Sequence, residues 1–168
     1  LFDGYIEQVA RVSSTCLVTV KRNRYSVPCH LARRRVSARL YPDRIDLYAD
    51  EGCVASHARL FDRDQVSYDW RHYLPLLERK PGALRNGAPF LTLPDELRVL
   101  QRLLLKRQGG DRVMVEVLAS VPVFGLERVL ESLRPLLTAG TASIEHVRYR
   151  LARLAEADRH ELTVAVPD

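Results

Sequence analysis

The sequence predicts an α+β chain: a small antiparallel β-barrel over residues 1–66, a long basic connector over 67–93, and a bundle of about four helices over 94–168. Three observations predict it. From Tyr5 to Phe61 apolar and polar residues alternate in short runs, the period of strands with one face on a core. The stretch 67–93 loses that period and holds the only tryptophan, Trp70, four basic residues, and the turn signals Pro81-Gly82 and Asn86-Gly87. After Pro94 the apolar residues recur at helical spacing.

In the first segment Val36, Ala38 and Leu40 alternate with Arg35, Ser37 and Arg39, and Ile45, Leu47 and Ala49 with Asp46, Tyr48 and Asp50. Turn residues separate the runs at Lys21-Arg22-Asn23, Pro42-Asp43 and Asp50-Glu51-Gly52. Six short strands at this spacing favour closure into a barrel, which removes edges that would pair with other chains. In the connector only Arg71 to Arg79 reads as a short helix; the rest reads as an extended arm, its apolar residues Trp70, Leu74, Leu77 and Phe90 packed and its basic ones exposed.

The first helix presents Leu97, Leu100 and Leu104, with Thr92 as a candidate N-cap and Gly109-Gly110 as its stop. Asp111 is placed to cap a second helix carrying Val113, Val117 and Leu118. A third runs from Leu126 through Val129, Leu130 and Leu133, with Pro135 ending or kinking it. Ser143 caps a fourth with Ile144, Val147, Leu151 and Leu154, and beyond Ala155 the fading apolar face predicts a loosely held tail.

The 168 residues carry a formal charge of +5, and only Lys21, Lys80 and Lys106 are lysines. Arginine's planar fork suits phosphate; a GC-rich genome produces the same bias. Residues 1–66 hold 11 basic and 8 acidic side chains, residues 67–93 hold 4 and 2, and residues 94–168 hold 11 of each. A polyanion-binding surface therefore belongs to the first two segments. Its candidates are Lys21, Arg22 and Arg24 on a hairpin, the run Arg33-Arg34-Arg35, and Arg79, Lys80, Arg85 and Asn86 on the connector. Strand alternation puts Arg33 and Arg35 on one face and Arg34 on the other. The competing reading of each group is a solvated charge run.

Catalysis finds little support. Cys16, Cys29 and Cys53 are odd in number and in no CxxC spacing, which argues against a disulfide framework or structural zinc and for a reducing compartment. The five histidines are scattered, and Cys29 and His30 on a strand would point to opposite faces. Neither phosphate-binding glycine motif, GxxxxGK[ST] or GxGxxG, is present, and Asp43, Asp46, Asp50 and Glu51 read as solvent-face charges. No apolar run approaches the roughly 18 residues of a membrane span, and no signal pattern opens the chain. Leu1-Phe2-Asp3 opens without methionine, as expected of a piece of a longer polypeptide.

Three motifs carry a resemblance: Val12-Ser13-Ser14-Thr15-Cys16, Asn23-Arg24-Tyr25-Ser26-Val27-Pro28, and the run from Leu77-Glu78-Arg79-Lys80-Pro81-Gly82 to Asn86-Gly87-Ala88-Pro89-Phe90. Together they resemble the C-terminal region of an IstA-type insertion-sequence transposase. That is the large subunit of elements that also encode an AAA+ helper ATPase, similar in plan to phage Mu transposase. Residues 94–154 agree mainly in helical pattern.

The resemblance implies DNA-binding helices and an RNase H-like core with two divalent metals upstream of this chain, so no cofactor and no catalytic residue are expected within it. It implies a non-catalytic module. Lys21, Arg22, Arg24, Arg33 and Arg35 would meet phosphates of double-stranded DNA, at transposon ends or target. Arg79, Lys80, Arg85 and Asn86 would follow DNA or a neighbouring protomer. Residues 94–168 would contact other transposase protomers or the helper ATPase. It also implies a bacterial, cytoplasmic, nucleoid-associated setting. Two alternatives stay open: an assembly module with little DNA contact, and a basic barrel acting on RNA, which lacks the aromatic stacking pattern of RNA modules.

Overall fold

A computed structural model describes residues 4–165 of the chain. They form two compact units that divide between Pro75 and Leu76.

The first unit holds the strands β1 (Ile6–Arg11), β2 (Leu17–Val20), β3 (Asn23–Ser26), β4 (Arg35–Leu40), β5 (Arg44–Ala49), β6 (Gly52–Ala58) and β7 (Val66–Ser67). The expected single barrel is replaced by two sheets, one ordered β1-β4-β5-β6 and antiparallel throughout, the other β2-β3-β7. The chain leaves the first sheet at a turn after Val12. There Cys16 takes a φ of 65° and donates its amide to the Ser13 carbonyl at 3.0 Å. The β2–β3 hairpin then finds its third strand in β7, which pairs parallel to β3 through Arg24↔Val66 and Tyr25↔Ser67.

The alternation works as expected where it was clearest. Val36, Ala38 and Leu40 of β4 and Ile45 and Leu47 of β5 are buried, and they meet Val18, Val20, Tyr25 and Val27 of the other sheet in one core. Asp46 is not a solvent-face charge: it is 8% exposed and accepts hydrogen bonds from Ser56 Oγ at 2.7 Å and Arg44 Nε at 3.3 Å. Those donors offset the cost of its burial. Cys29 and His30 lie in a 3-10 turn, Cys29–Leu31, rather than on a strand.

Residues 70–92 are a series of short helical turns, not an extended arm. They comprise the 3-10 turn Trp70–Tyr73, the helix α1 (Leu74–Arg79), and 3-10 turns at Pro81–Arg85 and Ala88–Thr92. Trp70, Leu74, Leu77 and Phe90 are buried while Arg71, Arg79, Lys80 and Arg85 are exposed. Pro81 and Pro89, first and second residues of the last two turns, suit φ near −65° and need no amide donor.

Four further helices make the second unit: α2 (Asp95–Leu105), α3 (Gly110–Phe124), α4 (Leu126–Ala139) and α5 (Ile144–Ala165). Leu97, Leu100 and Leu104 are fully buried, as are Val113, Val117, Leu118, Val129, Leu133 and Val147. Burial of each leucine contributes about 1.5–3 kcal/mol before chain entropy is counted.

Several boundaries differ from the sequence expectation. Thr92 does not cap α2; its hydroxyl donates to Pro89 O, and Pro94 holds the cap position. Gly109, at φ 79°, is the N-cap of α3, so Asp111 is free to pair elsewhere. Gly110 opens that helix, where a Cβ would run into the Leu104 carbonyl, so glycine is obligatory. Pro135 lies within α4, close enough to its end that the helix continues to a left-handed Gly140 cap. Ser143 caps α5 as expected, accepting the His146 amide at 3.1 Å. The expected loose tail is helical through Ala165, although its side chains from 159 to 164 are exposed; residues 166–168 lie outside the described residues.

Candidate nucleic-acid interface

Two groups of unpaired cations stand on the strand unit. The first is the tip of the β2–β3 hairpin. Lys21 and Arg22 are its two turn residues, with φ of 49° and 68°, and Arg24 follows on β3 opposite Thr19. All three are exposed, and none forms an ion pair among the described residues. Positive φ at both central positions is the requirement of the I′ turn, which normally takes Asn and Gly. Lys and Arg accept that backbone at a cost of roughly 1–2 kcal/mol each, so strain is concentrated where the cations are.

The second group lies where β1 meets β4. Arg11 and Arg35 are directly opposite each other in the ladder, a like-charge pairing that repels, and no carboxylate among the described residues relieves it. Arg33 stands one turn earlier at φ 69°, its amide bonded to the Val12 carbonyl at 2.9 Å. Because Arg33 precedes the strand in a left-handed conformation, strand alternation does not govern it. The expected sharing of one face by Arg33 and Arg35 therefore loses its basis.

Other arginines of this unit are occupied. The Arg39 guanidinium sits between the rings of Tyr48 and Tyr5, at 4.0 and 4.8 Å. Arg44 reaches Asp46, and Arg59 Nη1 donates to Tyr41 O at 3.0 Å. In the helical unit Arg79, Lys80 and Asn86 are exposed. Arg85 is engaged: its fork meets Asp111 at 3.0 and 3.4 Å and also donates to Leu105 O. A phosphate at Arg85 would compete with that carboxylate.

The histidines that looked scattered include two that meet. His57 Nε2 donates to Ser26 O at 2.7 Å, and Ser67 Oγ donates to His57 Nδ1 at 2.9 Å. Ser26 Oγ accepts the Asp69 amide and donates to His72 Nδ1, both at 2.8 Å. Burial lowers the pKa of both imidazoles, that of His72 to about 4, despite the nearby Asp69 carboxylate. Ser26 is fully buried, so this is a clamp between β3, β6 and β7 and not a nucleophile open to substrate. Among the described residues no group of three or more His, Cys, Asp or Glu could hold a metal ion, and no helix is long and apolar enough to cross a membrane.

Sequence reading missed Arg11 and Arg63. Arg11 joins the candidates only once its register with Arg35 is known. Arg63 joins them because its loop is bonded to the hairpin, Asp64 N donating to Arg22 O at 2.9 Å.

Residues 1–69 match the family model of the Mu transposase C-terminal domain. The chain is 50% identical over 160 residues to a transposase of Aminobacter aminovorans, covering 92% of this chain and 32% of that protein. It is 48% identical, with the same coverage, to the transposase for insertion sequences IS1326/IS1353 of Pseudomonas aeruginosa and to that of Shigella flexneri. The chain thus spans about a third of the length of the curated relatives it matches. No solved structure matches it.

Proposed function

We propose that this chain, which matches the Mu transposase C-terminal domain over residues 1–69 and is similar to insertion-sequence transposases over 92% of its length, is a non-catalytic, DNA-contacting part of such an enzyme. The observation that carries this reading is the set of cations without internal partners: Lys21, Arg22 and Arg24 at the hairpin tip, and Arg11, Arg33 and Arg35 around the start of β4. Three of the six occupy left-handed backbone that favours other residue types. Strain kept at exposed positions is a mark of function, and arginine forks without carboxylates are suited to phosphate. Arg79, Lys80 and Asn86, exposed on the helical unit, are proposed as separate contacts to DNA or a neighbouring protomer.

Two-metal phosphoryl transfer, the chemistry of a transposase core, belongs to protein outside this chain on this reading. Duplex DNA, transposon end or target, is the proposed partner. The test is binding to duplex DNA across a salt series. A surface with several phosphate contacts loses affinity steeply between about 50 and 200 mM salt, and each contact removed lowers the slope by about one. No binding at the low end would sink the DNA reading and leave assembly.

A second role is favoured for the helical unit. Val123, Tyr149, Leu162 and Val164 are exposed apolar side chains on α3 and α5, between 56% and 72% exposed. We read this surface as a protein contact, to another protomer or to a helper ATPase. A pull-down with the helper in which Leu162→Glu with Val164→Glu left capture unchanged would remove that ATPase assignment.

A further inference from the structure

Beside the hairpin tip runs a second tip, the loop from Leu60 to Gln65, and the two are fastened together. Asp64 N donates to Arg22 O and Arg24 N to Gln65 O, both at 2.9 Å. The side chain of Asn23, 1% exposed, donates to Leu60 O at 3.1 Å and accepts from Gln65 N at 2.9 Å. Leu60 N donates to the hydroxyl of the buried Tyr25 at 2.9 Å. Between these anchors the chain projects Phe61, Asp62 and Arg63, all exposed.

Phe61 is the most exposed large apolar side chain among the described residues, at 76%. Its ring has Arg59 over one face at 5.6 Å, and Arg59 is itself held by the Tyr41 carbonyl. A braced loop thus carries an exposed aromatic ring, with Arg63 on the same tip, and is bonded to the hairpin whose turn holds Lys21 and Arg22. Asp62 and Asp64 outweigh Arg63 and leave the tip itself with a net charge of −1, so the attraction for an anion comes from the hairpin.

An exposed ring on a loop braced against a cationic hairpin has a natural counterpart in a nucleobase, whose face every aromatic side chain can stack upon. Where a duplex is kinked or opened, apolar side chains enter between base steps. We propose that Phe61 is a base-stacking wedge, and that the DNA class this surface prefers is a duplex with an unstacked or unpaired base, rather than uniform duplex. The inference rests on the DNA reading above: the hairpin supplies the phosphate contacts and Phe61 the base contact.

The experiment measures affinity of the 168-residue chain for one duplex and for the same duplex with a short internal mismatch carrying 2-aminopurine. The expected result is about tenfold tighter binding to the mismatched DNA, with the probe's fluorescence changed by stacking. Phe61→Ala should abolish the preference and the probe signal while duplex affinity stays within about twofold, and Phe61→Trp should restore both. Because Phe61 is exposed, the variant is expected to melt as the parent does. Equal affinity of the parent chain for the two DNAs, or a preference that survives Phe61→Ala, overturns the wedge while the DNA reading stands. A change in self-association in Phe61→Ala with the DNA preference intact also overturns it, in favour of a protein contact. Failure to bind either DNA at low salt removes the DNA reading first.

Discussion

In the helical unit Arg134 lies forked against Glu96 at 3.0 and 3.2 Å, Arg148 against Glu116 at 3.1 and 3.0 Å, and Arg85 against Asp111. In the strand unit Lys21, Arg22, Arg24, Arg11, Arg33 and Arg35 have no such carboxylates among the described residues, and two of them face each other. Some arginines of the helical unit are thus spent on bidentate pairing with carboxylates, whereas these six cations of the strand unit are left open. Composition cannot separate these uses, because an arginine count is blind to what stands opposite. Equal numbers of acids and bases in residues 94–168 leave little net field there, while the surplus of basic over acidic side chains, 11 against 8, lies in residues 1–66.

The contrast is broken most severely by removing one unit's packing. Gly110→Ala drives a methyl into the Leu104 carbonyl and should destabilise the helical unit by about 3–5 kcal/mol. Thermal unfolding should show that loss, while DNA binding by the hairpin persists. Asn23→Ala comes next. It deprives Leu60 O and Gln65 N of their partners in a buried site, costing about 2–3 kcal/mol in denaturant melts. It should also weaken any preference for distorted DNA, since the loop loses its brace.

Replacing Lys21, Arg22 and Arg24 together with alanine should lower duplex affinity about thirtyfold at moderate salt and reduce the salt slope by about three. The matching Arg134→Ala with Arg148→Ala variant should leave both unchanged. Equal effects of the two sets would erase the distinction between the units.

The smallest effect is one of pH. His72 is held neutral to about pH 4 by burial, with the His57 ring at 6.0 Å and Arg71 adding to that effect, and with Asp69 at 3.9 Å opposing it. The unfolded chain takes up that proton near pH 6.5 and the folded one only near 4. Stability of the strand unit should therefore fall as pH drops from about 6.5 towards 4, by on the order of 1–2 kcal/mol. A melting temperature of His72→Gln with the same pH slope would count against this origin.

Much of the chain was legible because its signals are local. The alternation at Val36, Ala38 and Leu40, the helical spacing of Leu97, Leu100 and Leu104, and the Ser143 cap all reside within a few residues. What escaped depends on partners far along the chain. The pairing of Arg11 with Arg35, the burial of Asp46 under Ser56, and the two-residue β7 beside β3 are properties of register, which periodicity does not encode. Arg33 misled for another reason: a left-handed residue resets the face count, and nothing in Arg33-Arg34-Arg35 announces one. For the proposed site, the hairpin cations could be named from sequence, whereas the loop that carries Phe61 and Arg63 could be joined to them only through the Asn23 bonds.

The turn at Lys21 and Arg22 has a consequence for anyone improving this protein. A stability-guided redesign would write Asn-Gly there, relieve two left-handed side chains, and obtain a hairpin that melts higher. Such a variant would pass every folding assay while having discarded two of the charges proposed to meet DNA. Selection on heat tolerance and selection on the proposed DNA contact would therefore pull this dipeptide in opposite directions.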